Sequence, residues 1–424
     1  MKKIFTLFAL SSLLAAGTVQ AQTPCTGLRY RDIVFDDTVI SNITYGSNVT
    51  MNNSATTLKM DVWMPKGDTA TQRPLIILAH GGNFLGGSKT GGDVIQLCND
   101  WADMGYVVAS IDYRVGMTNF PFPGPDSTDA TEAVMRAVHD AKAAVRFFKE
   151  NYSIGGNTYG VDTSNIFFGG VSAGGFMALH VAYLDEQSEF PAWADTTGQY
   201  GLHGGIAGLS GHPGYSSDVR AVINIAGALG DTAWIHPGDE PAMLFHGDQD
   251  GTVPYGSATI YLLGTYPLLG VDGSFSVDAR LTQMGITHCF ETYEGEDHVP
   301  HVGSAAHYDT TLVITRNFLV HMLCGDPLDC SYTTAIGIND LPALPSLIDV
   351  YPNPADENLN VNTSRLAGSD YRIELYNSMG QLVSTQTADV DGTTTINTSE
   401  LPAGVYMLSV TNGENMWTKS VVVK

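Results

Sequence analysis

The sequence predicts an α/β domain built on a mostly parallel sheet with helices on both faces, followed by a small C-terminal all-β sandwich. Three observations carry that expectation. Between Cys25 and Cys324, continuous apolar runs alternate with segments of helical spacing, the pattern of strands buried on both faces by crossover helices. Beyond residue 346 the texture changes to short alternating stretches separated by Gly, Asn, Asp and Pro, as in a small sandwich. Hydrophobic residues make up 43% of the 424 positions, enough to bury a core and too many for a disordered chain.

Taken in order, the chain opens with Met1-Lys2-Lys3, an apolar run over 4–17 and a small-x-small site ending at Ala21. This is the layout of a secretory leader, and the run is too short to span a bilayer. Residues 1–21 are therefore expected to be removed, and the mature chain has no other segment long and apolar enough to cross a membrane. The expected domains are 22–330 for the α/β part, 331–346 for a linker with two prolines, and 347–424 for the sandwich.

Within the α/β part, PLIILAH (74–80), GYVVASIDY (105–113), SNIFFGGV (164–171), VRAVINIAG (219–227), PAMLFHG (241–247) and ITHCFETY (286–293) read as strands. Residues 129–150 carry apolar side chains at Val134, Ala137, Val138, Ala141, Ala144, Val145 and Phe148, a helical spacing. Residues 173–184 and 305–322 are further helices. In such sheets ligands sit beyond the C-terminal ends of the strands, so reactive residues should follow the apolar runs directly.

The charge balance is 20 basic against 44 acidic residues, a net −24, and charged residues are only 15% of the chain, against roughly 25% in an average domain. No basic face is available for a polyphosphate backbone, so a nucleic-acid partner is excluded. Of the five cysteines, Cys25, Cys98, Cys289, Cys324 and Cys330, the pair Cys324 and Cys330 is close enough in sequence to bridge. The odd count leaves one thiol over. No Cys or His spacing suggests a metal site.

Four segments carry chemistry. Gly170-Val171-Ser172-Ala173-Gly174 fits G-x-S-x-G between a strand and a helix, a tight turn that pushes a serine hydroxyl out at a helix N-terminus. His80-Gly81-Gly82-Asn83-Phe84 follows a strand, and its N–H groups, with Gly82 and Asn83 as the expected donors, can join that of Ala173 in an oxyanion hole. His80 is expected to orient this loop. In Phe245-His246-Gly247-Asp248-Gln249-Asp250, Asp250 is the expected partner of an imidazole and Asp248 a loop cap. The base should follow in the order Ser, Asp, His. His298, in GEDHVPH after a strand, is the expected base and His301 its competitor, while His288, His307 and His321 fall within or beside strand and helix patterns.

These four pieces in this order resemble the α/β-hydrolase superfamily, particularly its carboxylesterase and lipase branch with an HGG oxyanion loop, from about Leu58 to Cys324. Asp112-Tyr113-Arg114 also resembles a segment of that branch. The resemblance implies a serine carboxylic ester hydrolase that works through an acyl-enzyme, with Ser172 as nucleophile, His298 as base, Asp250 as its orienting acid, and no cofactor or metal. Small or polymer-linked esters, including feruloyl, acetyl, lipid and polyester bonds, are the expected substrates. A serine peptidase of the same fold and a non-catalytic binding protein on a hydrolase scaffold are the alternatives; no propeller-like segment precedes the domain, and the intact Ser, Asp and His argue against the second. The glycine-rich insert at 185–217 holds Phe190, Trp193, Tyr200 and Tyr215 and has the length of a lid or binding loop, with a structured surface excursion as the equal alternative. Phe84, Trp193 and Tyr215 are the expected substrate-binding side chains.

In the tail, YPNPA (351–355), ELYNSMGQLV (374–383) and LPAGVYMLSV (401–410) together resemble the C-terminal sorting domain of type IX secretion substrates. This implies the type IX machinery as a partner and a secreted or cell-surface location. A carbohydrate-binding β-module is the alternative, but Trp417 is the tail's one tryptophan.

Overall fold

The structure, a computed structural model, describes residues 25, 27–190, 201–332, 348–363, 371–377, 380–388, 392–411 and 416–424. The leader and almost all of the expected linker lie outside these. The chain divides into two compact units, 1–332 and 333–424.

The first unit begins with an antiparallel pair, β1 (Asp37–Val49) and β2 (Ala55–Pro65), continues through β3 (Arg73–Ala79), α1 (Ile95–Asp103) and β4 (Val107–Ile111), and reaches the long helix α2 (Ser127–Ser153). Next come β5 (Val161–Val171), α3 (Ala173–Tyr183), β6 (Ala221–Ile225), β7 (Ala228–Leu229) and β8 (Ala242–Gly247). A hairpin of β9 (Ser257–Leu262) and β10 (Tyr266–Gly273), α4 (Ser274–Met284), β11 (His288–Tyr293), α5 (Pro300–Gly303) and α6 (Ala305–Cys324) complete it. Eight strands form one sheet in the order β1-β2-β4-β3-β5-β6-β8-β11. From β4 to β11 every neighbour is parallel; β1 and β2 run antiparallel at one edge.

The apolar runs are central strands for a plain reason. Every residue of β3, β4, β6 and β8 is buried, since side chains on both faces meet helices. One core, with Leu75, Ile77, Val138 and Met177, lies on the face of α2 and α3. The other, with Ile76, Leu78, Trp101 and Phe318, lies on the face of α1 and α6. Helix α2 starts at a capping box in which Asp126 accepts from the N–H of Thr128 and Asp129 while Asp129 accepts from that of Asp126.

Two expectations are corrected. Cys324 does not pair with Cys330: the disulfides are Cys25–Cys324 and Cys289–Cys330, and Cys98 is a buried free thiol. The nearness of Cys324 and Cys330 in sequence is overridden because α6 ends against the start of the unit while the chain after it returns along β11. Of the 185–217 insert, residues 201–211 form no lid, whereas Phe190 packs with Met135, Leu184 and Leu202. Arg114 Nη1 donates to the carbonyl of Gly201, His139 Nε2 to that of Gly205, and Arg146 Nη1 and Nε to those of Ala207 and Gly211. The segment is thus a strap laid along α2.

The second unit holds a three-stranded sheet, β12 (Asp349–Tyr351), β13 (Asn358–Asn362) and β16 (Thr393–Asn397), and a four-stranded one, β15 (Leu382–Ala388), β14 (Tyr371–Tyr376), β17 (Gly404–Thr411) and β18 (Met416–Val423). All of their pairings are antiparallel. Leu359, Val361, Ile373, Leu375, Leu408 and Val421 form their shared core, the inward half of each alternating strand. Among the described residues no helix is long and apolar enough to cross a membrane.

Candidate active site

Ser172 sits between β5 and α3 with φ 54° and ψ −114°, a left-handed backbone that costs a non-glycine residue roughly 1–3 kcal/mol. The flanking glycines are required by contact. A Cβ on Gly170 would lie 2.3 Å from the backbone of Gly174, and one on Gly174 would lie 2.0 Å from the carbonyl oxygen of Ala79. The turn can fold this tightly only without those side chains. It is held by the Ser172 N–H, which donates to the Ile225 carbonyl at 2.8 Å.

The expected base and acid converge on this hydroxyl. His298 Nε2 lies 2.9 Å from Ser172 Oγ, and His298 Nδ1 lies 2.6 Å from Asp250 Oδ2. The carboxylate accepts, so Nδ1 carries a hydrogen and Nε2 has its lone pair toward the hydroxyl. Asp250 Oδ1 takes the N–H groups of Thr252 and Val253, each at 2.8 Å. Burial alone would raise the Asp250 carboxyl; the hydrogen bonds from His246 and His298 and the backbone override it and hold the group well below the usual carboxylate range. Asp248 serves its loop, accepting from Gly295 N–H at 2.7 Å.

His301 is directed elsewhere. Its Nε2 donates to the Asp93 carbonyl at 3.2 Å, and burial lowers its basicity. His288 donates through Nδ1 to the Ile286 carbonyl, and His321 to that of Asp326.

The loop after β3 borders the serine: a Cβ on Gly81 would lie 3.3 Å from Ser172 Cβ. Gly82 (φ 122°), Asn83 (φ 54°) and Phe84 (φ 57°) all have left-handed backbone, and the Gly82 carbonyl accepts from Leu85 and Gly86. His80 braces the loop. Its ring stacks on Tyr113 at 4.4 Å, its Nδ1 donates to the Gly81 carbonyl, and Tyr113 hydroxyl donates to its own carbonyl. Asp93 Oδ2 takes the Gly81 N–H at 2.7 Å. Arg114, in the same DYR segment, is buried in an ion pair with Asp140. Asn83 and Ala173 both line the cavity at Ser172, and Gly82 is not part of that lining.

That cavity has a volume of about 290 Å³. Phe84 is in its wall. Tyr215 is not: its neighbour Ser216 is held by Lys149, about 30 Å along α2 from the cavity residue Ala130. Trp193 and Tyr200 lie outside the described residues. The wall that the sequence reading missed is the β9–β10 hairpin, which contributes Ile260, Leu262, Leu268 and Leu269. Its signal was the alternation in SATIYL and YPLLGVDG around Gly264, which marks a hairpin but not what it covers.

Sheet order, elbow and loop arrangement define an α/β-hydrolase fold. Residues 60–229 match the family model BD-FAE, and residues 349–424 match the model of the secretion system C-terminal sorting domain. No curated protein matches the chain. Similar solved structures include the apo form of Thermogutta terrifontis esterase 2, with 22% identity and a TM-score of 0.46 over 66% of this chain and 94% of that one. A truncated carbohydrate esterase from gut microbiota has 18% identity and a TM-score of 0.45 over 68% of this chain and 97% of that one. The sorting domain makes this a secreted or cell-surface protein.

Proposed function

We propose that the protein is a serine-type carboxylic ester hydrolase. The observation that carries the reading is the continuous line Ser172–His298–Asp250, with contacts of 2.9 and 2.6 Å. Ser172 Oγ attacks the ester carbonyl while its proton passes to His298 Nε2. The carbonyl oxygen becomes an oxyanion beside the N–H groups of Ala173, Asn83 and Gly82. As the C–O bond breaks, His298 returns the proton to the leaving alcohol. Water then attacks the acyl-enzyme with His298 again as base, and Ser172 is released as the acid departs. Asp250 keeps the imidazole in the tautomer this requires and stabilises its cation. Tyr215 has no part in this reading; Phe84 borders the acyl-enzyme.

The substrates best matched to an exported enzyme of this kind are small or polymer-linked esters, with acetyl, feruloyl and polyester bonds as the classes to compare. The tail's role is to engage the type IX secretion machinery. The test is Ser172→Ala on short nitrophenyl esters, with turnover expected to fall by roughly four orders of magnitude or more. Retained turnover would overturn the reading. His298→Ala should fall on the same scale, while His301→Ala should stay within about tenfold of the wild type because its imidazole serves the Asp93 backbone.

A further inference from the structure

Behind the cavity at Ser172 lies a second one of about 260 Å³. The two share Val134, Phe176, Leu268 and Leu269 in their walls. Phe176 stands between them, one turn after Ser172 on α3, with its N–H bonded to the Ser172 carbonyl. Its ring meets Phe84 edge-on at 6.0 Å on one side and stacks with His180 at 6.2 Å on the other. The second cavity is lined further along by His180, Leu184, Phe190 and Trp234.

The axis of α3 gives the scale. At 1.5 Å per residue, Phe176 is about 6 Å and His180 about 12 Å along the helix from Ser172. An extended chain advances roughly 1.2 Å per bond, so about five carbons reach Phe176 and about ten reach His180.

The arm of the ester that enters follows from the base. The leaving oxygen must sit beside His298 Nε2 to take its proton. The first cavity is bounded by Asn83 and Ala173, not by His298, so it receives the other arm, the acyl group. Its continuation carries no charge. His180 Nδ1 donates to the Phe176 carbonyl, which can only accept, and burial with Lys142 nearby lowers the imidazole to about 4, so it is neutral.

We propose that Phe176 is the partition that sets acyl length, holding the wild type to unbranched acyl chains of about five carbons by closing off the second cavity, which matches chains of about eight to ten carbons once the ring is removed. This rests on the reading of Ser172 as nucleophile. With Phe176 in place, acyl groups of up to about five carbons fill the first cavity and longer ones are disfavoured.

The test is kcat/KM on 4-nitrophenyl esters from acetyl to dodecanoyl, for the full chain, Phe176→Ala, and Phe176→Ala combined with Thr131→Phe, which fills the second cavity from α2. Active-site labelling with a fluorophosphonate normalises each for folded enzyme. Phe176→Ala should raise the decanoyl-to-butyryl ratio at least about tenfold, and the added Thr131→Phe should reverse that gain. A ratio within twofold of wild type in Phe176→Ala overturns the proposal, as does a gain that persists in the double variant, since the chain would then run elsewhere. A wild type that labels and hydrolyses no ester of the series sinks the hydrolase reading itself.

Discussion

His246 Nε2 lies 3.2 Å from Asp250 Oδ2, the same oxygen that His298 contacts, and the His246 and Asp250 side chains are fully buried. The same nitrogen is 3.1 Å from the Val253 carbonyl, which can only accept, so Nε2 carries the hydrogen. Nδ1 therefore takes the Ser274 hydroxyl at 2.7 Å, and Ser274 Oγ takes the Asn224 amide at 2.9 Å. A buried polar line thus runs from β6 through α4 and β8 to the acid. Replacing His246 by Phe should cost about 1.5–3 kcal/mol in denaturant unfolding, the worth of a hydrogen bond to a charged group. It should also lower kcat for short esters while leaving KM within about threefold, because Asp250 loses the contact that fixes its carboxyl.

Ser172 presents its hydroxyl to the cavity at the cost of backbone strain. Ser172→Gly should therefore stabilise the fold by about 1 kcal/mol while abolishing ester turnover. Ser172→Ala keeps a Cβ at φ 54° and should show no such gain. Thermal melts of the two variants decide this.

Glu240, beside Tyr183, is raised by burial and by Asp239, Asp218 and Asp185 to about 7. Its folded value exceeds the unfolded one of about 4.3, so the folded state holds the proton more tightly. Stability falls as pH rises from about 4 to 7, and the penalty is complete above that. Glu240→Gln should stabilise at pH 8 by about 1 kcal/mol after solvent screening, and change little at pH 4. Denaturation midpoints at the two values test it.

Removing the Cys25–Cys324 bridge by serine substitution should cost about 2–5 kcal/mol, because it closes 299 residues of sequence separation. Reduction of wild type should lower the melting temperature in the same direction.

The central strands were legible because burial on both faces writes an unbroken apolar run, as in PLIILA. The elbow and its partners were legible because the serine, the acid and the base must each follow a strand in a fixed order. The hairpin that walls the cavity was not. Tyr261 and Leu263 are exposed while Leu262 and Leu268 are buried, and that alternation fixes a face without saying what the face meets. Residues 201–217 misled through their aromatic and glycine content, because the cations that hold them, Arg114 and Arg146, lie 60 or more positions away. The edge pair β1 and β2 and helix α1 also escaped, since their faces are partly polar.

The two bridges have a consequence for handling the protein outside a cell. Cys25 fastens the start of the first unit to the end of α6, and Cys330 fastens the chain beyond α6 to β11. Neither end of that unit can peel away to begin unravelling. A protease that cuts beyond residue 332 therefore leaves both bridges in place within the first unit.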